Sequence, residues 1–234
     1  MVDFLTKYFN YITYVFEFFA LIVAVFYFKK FKYTSTRVFI FYIAYVMFVE
    51  LVGISFFYFK SFPITKYLIS LNFYSTAWYN LAWLFGSVIF VLYYIQKVLE
   101  NNTNKWIVRV LNVMFLVIML SHFLLYPNVF LKEHHPLYQF LGAFSILIAC
   151  SIYFLEFVNS NKLLNAFSTF SFYALSALLI WWLIITPILF FNIYNTEADW
   201  DFANLKRRIF VFANIFMYSC FAIGLIISKP KINK

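Results

Sequence analysis

Long apolar runs separated by short polar ones make up most of this chain. The most uniform run, residues 172–194, contains no charged residue. As an α-helix rising about 1.5 Å per residue it would be roughly 33 Å long, close to the ~30 Å hydrocarbon core of a bilayer. Similar runs recur along the whole chain, which disfavours a single buried helix of a soluble core. The pattern predicts a polytopic membrane protein of the all-α class.

Seven apolar runs predict seven transmembrane helices, packed as one seven-helix bundle in a single transmembrane domain, residues 1–234. The connections between them are short, so none has room for a catalytic or kinase domain. Any chemistry therefore has to take place in the membrane or at its rim. The predicted helix bounds are 9–28, 38–58, 72–96, 106–126, 137–158, 172–194 and 209–228.

Composition supports this class and narrows the partners. Charged residues make up 12% of the chain, against about 25% in soluble domains. The net charge of +9 would suggest nucleic acid for a soluble protein. Here the basic residues lie between apolar runs, where they set orientation and contact anionic lipid headgroups. We expect the lipid bilayer as a partner and no nucleic acid.

Basic residues also predict the orientation of the helices. With the N-terminus outside, eleven of the 18 Lys and Arg residues lie inside, including the cluster of Lys29, Lys30, Lys32 and Arg37. Short cytoplasmic loops carry an excess of Lys and Arg, which favours N-out, C-in. The cluster 206–208, placed in an outer loop before the last predicted helix, opposes this orientation.

Two carboxyl groups, those of Glu17 and Glu50, fall well inside predicted helices. An ionisable group at mid-bilayer costs at least ~2.5–3.5 kcal/mol, so it needs a partner or a purpose. Each lies about 12 Å below the outer end of its helix, and sequential helices usually pack as neighbours. We therefore expect the two groups to be close together. Two adjacent carboxyl groups do not both ionise easily, so one should hold a proton at neutral pH.

Polar or amphipathic side chains also occur from mid-membrane outward on four other predicted helices: Asn80, His122, Trp182 and Asn214. The functional hypothesis is an outward-open ligand or proton site formed by these residues together with Glu17 and Glu50. The alternative is interhelical hydrogen bonding that holds the bundle together, worth ~0.6 kcal/mol per pair. Pro187 removes a backbone hydrogen bond from the sixth predicted helix and is a candidate gating kink.

The sequence contains no HExxH, GxSxG or Gly-rich phosphate-binding motif. Glu133–His134–His135 fits a water-exposed loop better than a metal site. We therefore expect no catalytic residues, no metal and no cofactor.

Two aromatic segments carry a resemblance to a known group. One is Tyr14–Phe18 with its single Glu17, and the other is Phe190–Asn192, followed by a polar loop and a helix beginning near Arg208. In these features the chain resembles an uncharacterised group of small bacterial seven-helix integral membrane proteins. The resemblance implies a location in the bacterial inner (cytoplasmic) membrane and implies no known activity. Abundant Phe, Tyr, Ile, Asn and Lys, which AT-rich codons favour, fit such a source.

Three functions fit these features. The first is a non-catalytic sensor or interaction subunit of a larger assembly, which needs a membrane or cytoplasmic protein partner. The second is a small proton- or ion-coupled transporter with Glu17 and Glu50 as coupling groups, although the chain has no inverted repeat. The third is an intramembrane lipid-modifying enzyme, which lacks a paired catalytic signature. The sequence leaves the oligomeric state open.

Overall fold

The computed structural model describes residues 8–71, 73–132, 135–160, 166–191 and 200–230. Seven helices in these ranges are long and apolar enough to cross a membrane. The same ranges contain no β-strand. The predicted all-α, polytopic membrane fold is confirmed.

Ten α-helices and one π-helix occur in the described ranges. Three of the helices begin at a proline, whose fixed φ and missing N–H suit the first helical position. The elements are α1 (Phe9–Tyr27), α2 (Thr36–Tyr58), α3 (Pro63–Ser70), α4 (Ser75–Trp78), the π-helix Tyr79–Gly86, α5 (Ser87–Val98), α6 (Asn102–Leu125), α7 (Pro127–Lys132), α8 (Pro136–Val158), α9 (Phe170–Phe191) and α10 (Trp200–Ile227).

The last span begins earlier than its apolar run suggests. Helix α10 starts at Trp200 and not at Ile209, so the basic cluster 206–208 lies on a helix and not in a loop. No Pro or Gly occurs between these two positions to stop the helix. Long basic side chains also reach water from a helix end while their stems stay apolar. The predicted end of the sixth helix, 192–194, lies outside the described residues.

The chain divides into two compact units, residues 1–43 with 147–234, and residues 44–146. In the first unit α9 packs against α10, and α10 packs against α1. The Phe39 ring is central to its core, with ring centroids 5.2 Å from Phe170 and 4.9 Å from Phe221. Edge-on aromatic contacts of this kind add to the burial of apolar area.

The second unit contains the candidate site. Its helix α5 packs against α6, and α4 packs against α7. Leu92 and Ile95 of α5 are fully buried, and Phe115 and Met119 of α6 are at most 2% exposed. This apolar contact fixes α5, which continues directly from the π-helix.

Candidate functional site

An eight-residue π-helix, Tyr79–Gly86, interrupts the third span between α4 and α5. Its backbone hydrogen bonds run from i to i+5, so each turn holds more residues than an α-helical turn. Such segments are rare and occur frequently at functional sites. We call these residues the π segment and build the candidate site from them.

Two side-chain hydrogen bonds join the start of the π segment to α2. The Tyr79 hydroxyl donates to a carboxylate oxygen of Glu50 at 2.9 Å. One residue earlier, the Trp78 indole N–H donates to the carbonyl oxygen of Val49, also at 2.9 Å. The Glu50 carboxyl group, costly inside a membrane span, therefore has a specific donor on the neighbouring span.

A third hydrogen bond joins the middle of the π segment to α2. The Tyr45 hydroxyl donates to the carbonyl oxygen of Ala82 at 2.5 Å. A side chain of α2 thus supplies a donor to the backbone of the π segment, in a region where water is scarce and polar backbone groups need partners.

Two glycines allow these tyrosines to approach. A Cβ atom added at Gly53 of α2 would overlap the Tyr79 hydroxyl, and one added at Gly86 would overlap the Tyr45 hydroxyl. Each helix contributes one glycine and one tyrosine, so the two contacts are reciprocal. A side chain at either position would displace the facing tyrosine hydroxyl, and with it the hydrogen bond that the hydroxyl donates.

Asn80 continues the polar contacts away from α2. Its side chain is 1% exposed, and its amide Nδ2 donates to the carbonyl oxygen of Phe130 in α7 at 2.7 Å. The Phe130 ring lies 5.4 Å from the Tyr138 ring, and the Tyr138 hydroxyl is 2.8 Å from Nδ1 of His122. The His135 ring lies 5.9 Å from that of His122. A continuous series of contacts therefore connects the π segment with two imidazoles.

The six predicted site residues fall into both units. The second unit contains Glu50, Asn80 and His122, which the contacts just described connect. The first unit contains Glu17, Trp182 and Asn214. The common outward-open pocket and the proximity of Glu17 to Glu50 stay predictions.

In the first unit the predicted residues lie on α1, α10 and α9, and α10 packs against both of the others. Glu17 of α1 is 5% exposed. Asn214 of α10 accepts a hydrogen bond from the Trp181 indole N–H of α9 at 2.7 Å, as the interhelical bonding alternative expects. Trp182 is also buried, and its carbonyl oxygen accepts a hydrogen bond from the Thr186 hydroxyl at 2.5 Å.

Pro187 lies inside α9 with its side chain exposed. It has no N–H to donate to the carbonyl group of Leu183, four residues earlier. Its gating role stays a prediction.

The sequence did not identify Tyr79, Tyr45 and Trp181 as site residues. These side chains donate the hydrogen bonds to Glu50, to the carbonyl oxygen of Ala82 and to Asn214, respectively. The chain contains 19 Tyr and 6 Trp, so residue type alone does not distinguish these three. The glycines Gly53 and Gly86 are a usable signal, because small residues in membrane helices mark close approach of neighbouring helices.

Within the described ranges, no three His, Cys, Asp or Glu side chains lie together in an arrangement that could hold a metal ion. Glu133 and His134, two members of the acidic and histidine-containing motif considered above, lie outside those ranges.

Comparisons with protein-family models, curated proteins and solved structures give no match. The bacterial source and the inner-membrane location accordingly stay predictions.

Proposed function

We propose that this protein is a non-catalytic subunit of a membrane assembly, which senses a proton or small ligand at Glu50 and acts through a separate protein. The observation that carries the proposal is the hydrogen bond from Tyr79 to Glu50 at the start of the π segment. A carboxyl group in a membrane span is expensive and usually functional. Gain or loss of a proton or ligand at Glu50 changes the interaction with Tyr79.

The contacts beyond Glu50 support a relay. Asn80, next to Tyr79 in the chain, is bonded to the backbone of α7, so a movement of the π segment is transmitted to that helix. The connections between the spans are short in the sequence, so the response requires a membrane or cytoplasmic partner. In the N-out, C-in orientation Glu50 lies in the outer half of α2, and the input comes from outside.

A small proton- or ion-coupled transporter is the second candidate. The burial of Glu17, 5% exposed on α1, favours it, because a buried carboxyl group on a second helix could serve as a further coupling group. In that function Glu17 and Glu50 are the coupling groups.

Reconstitution in liposomes distinguishes the two candidates. Purified protein is placed in vesicles with a pH-sensitive dye inside, and a potassium gradient with valinomycin supplies the driving force. The sensor function predicts proton flux equal to that of protein-free vesicles. Flux that requires Glu50, and is lost in Glu50→Gln, would reject the sensor in favour of the transporter.

Fluorescence of Trp78 tests the sensing site directly, because its indole is bonded to α2 beside Glu50. In a variant that retains only this tryptophan, we expect the emission maximum to shift when pH or sodium concentration is varied. Glu50→Gln should abolish the shift, whereas Glu100→Gln, exposed beyond the end of α5, should retain it. A shift that persists in Glu50→Gln would contradict the assignment of the site.

A further inference from the structure

We infer that the π segment is a register switch of the third span. Residues 79–86 pass from π-helical to α-helical hydrogen bonding, and this turns the short helix α4 relative to α5. The inference deepens the proposed function in one respect: the site at Glu50 and Tyr79 supplies the trigger.

The amplitude follows from helix geometry. A π-helical turn closes with one more residue than an α-helical turn, because its bonds run from i to i+5 and not to i+4. Each α-helical residue turns the chain by about 100° and advances it by about 1.5 Å. Conversion of the π segment to an α-helix therefore turns one flanking helix by about 100° relative to the other.

Helix α4 is the flank that turns. It has four residues, Ser75–Trp78, and the two described residues before it, 73 and 74, are not helical. Helix α5 has twelve residues, Ser87–Val98, and its fully buried side chains Val88, Leu92 and Ile95 fix it within the second unit. Turning α5 would expose that core, whereas α4 contributes one fully buried side chain, Ala77.

Hydrogen bonds at the junction of α4 and the π segment hold α4 in its present orientation. Trp78 is bonded to Val49, and Tyr79 is bonded to Glu50. A turn of about 100° moves both donors away from α2. A change at Glu50 that weakens the bond from Tyr79 therefore favours the α-helical register.

A pair of single-residue deletions tests whether residues 79–86 accept α-helical hydrogen bonding, which the switch requires. Leu81 is an exposed residue inside the π segment. Its deletion removes the one residue by which a π-helical turn exceeds an α-helical turn, and α4 and α5 keep their present orientations. Deletion of Tyr93, equally exposed but in regular α-helix, turns the buried Tyr94 and Ile95 out of the core. We expect the first variant to fold with a Tm close to that of the parent and the second to unfold at a much lower temperature. Equal damage from the two deletions would overturn the inference.

A distance measurement follows the switch in the full-length chain. Spin labels are placed at Thr76 of α4 and Lys97 of α5, after Cys150 and Cys220 have been replaced by Ala. We expect one distance population in the parent and a second, shifted population in Tyr79→Phe. The control Tyr58→Phe, at the exposed end of α2, should resemble the parent.

The readout needs neither ligand nor partner, so it is independent of the proposed function. An unchanged distance in Tyr79→Phe overturns the switch but leaves the sensing site intact if Trp78 still responds. A second population without any Trp78 response supports the switch and rejects the sensing role of Glu50.

Discussion

The Tyr79 hydroxyl donates a hydrogen bond to the Glu50 carboxyl group within the second predicted span. We expect Tyr79→Phe to lower the free energy of unfolding by about 1–2 kcal/mol, because a largely buried acceptor loses its donor. Unfolding of the purified protein in detergent measures the change. The matched control Tyr58→Phe removes a hydroxyl from a side chain that is 68% exposed and should change stability by less than about 0.5 kcal/mol. Equal losses in the two variants would show that Glu50 does not depend on Tyr79.

At the scale of single residues, the sequence identifies costly groups more readily than their partners. Glu50 and Asn80 are singled out because polar groups inside an apolar run are expensive. Their partners, Tyr79 and the carbonyl oxygen of Phe130, depend on how helices meet and have no local pattern. Asn214 is a similar case, because it accepts a hydrogen bond from the Trp181 indole, which lies on another helix.

Within α9, the missing N–H of Pro187 leaves the backbone hydrogen-bond series incomplete. We expect Pro187→Ala to straighten the helix and raise the free energy of unfolding by a fraction of the ~3 kcal/mol typical of helix-interior proline. Pro63→Ala is the control, because Pro63 occupies the first turn of α3, where proline is favourable; its stability should not increase. Failure of Pro187→Ala to fold would identify Pro187 as a packing element and reject the gating hypothesis.

Helix α10 ends against a lysine from the connection between α1 and α2. Lys30 Nζ donates to the carbonyl oxygens of Leu225 at 3.3 Å and Ile226 at 3.1 Å, and it lies 4.8 Å from the centroid of the Tyr27 ring. These hydrogen bonds satisfy carbonyl groups of the last helical turn, and one such bond contributes about 0.5–1.5 kcal/mol. We expect Lys30→Met to lower stability by that amount in thermal unfolding, and the exposed neighbour Lys29→Met to have no measurable effect.

The same lysine predicts a pH effect in the alkaline range. Burial lowers the pKa of Lys30 below its ordinary value of 10.5. Between the folded value and 10.5 the unfolded chain binds more protons, so this residue makes stability rise with pH in that window. Lys30→Met should remove that rise. An unchanged pH profile would contradict the burial of the amino group.

At the scale of helices, apolar length is a strong signal because a span has to cross about 30 Å of hydrocarbon. The spans are therefore predicted from the sequence. The start of α10 at Trp200 is not predicted, because charged residues interrupt the apolar pattern before Ile209. The π segment is missed for another reason. Its contacts with α2 are hydrogen bonds between helices: Tyr45 of α2 donates to Ala82, and Tyr79 donates to Glu50 of α2. A single apolar run does not encode such contacts.

For the whole molecule, the orientation predicted from basic residues is tested by reporter fusions. Fusions after Lys97 and Ser160 should report a cytoplasmic location, and fusions after Pro63 and Asn128 an external one. The cluster 206–208 makes this test necessary, since it lies at the beginning of α10 on the predicted outer side. The reverse pattern would place Glu50 and Asn80 in the inner half of the membrane. The proposed sensor would then receive its input from the cytoplasmic side.

The reciprocal glycine and tyrosine contacts between α2 and the π segment also constrain which substitutions this chain can accept during evolution. A side chain at Gly53 displaces the Tyr79 hydroxyl, and one at Gly86 displaces the Tyr45 hydroxyl, whereas a smaller residue at position 79 or 45 leaves space for it. Either single change is unfavourable alone, so the two members of a pair should be inherited together. In a set of diverged relatives, positions 53 with 79 and 86 with 45 should therefore covary, while exposed Tyr58 varies on its own.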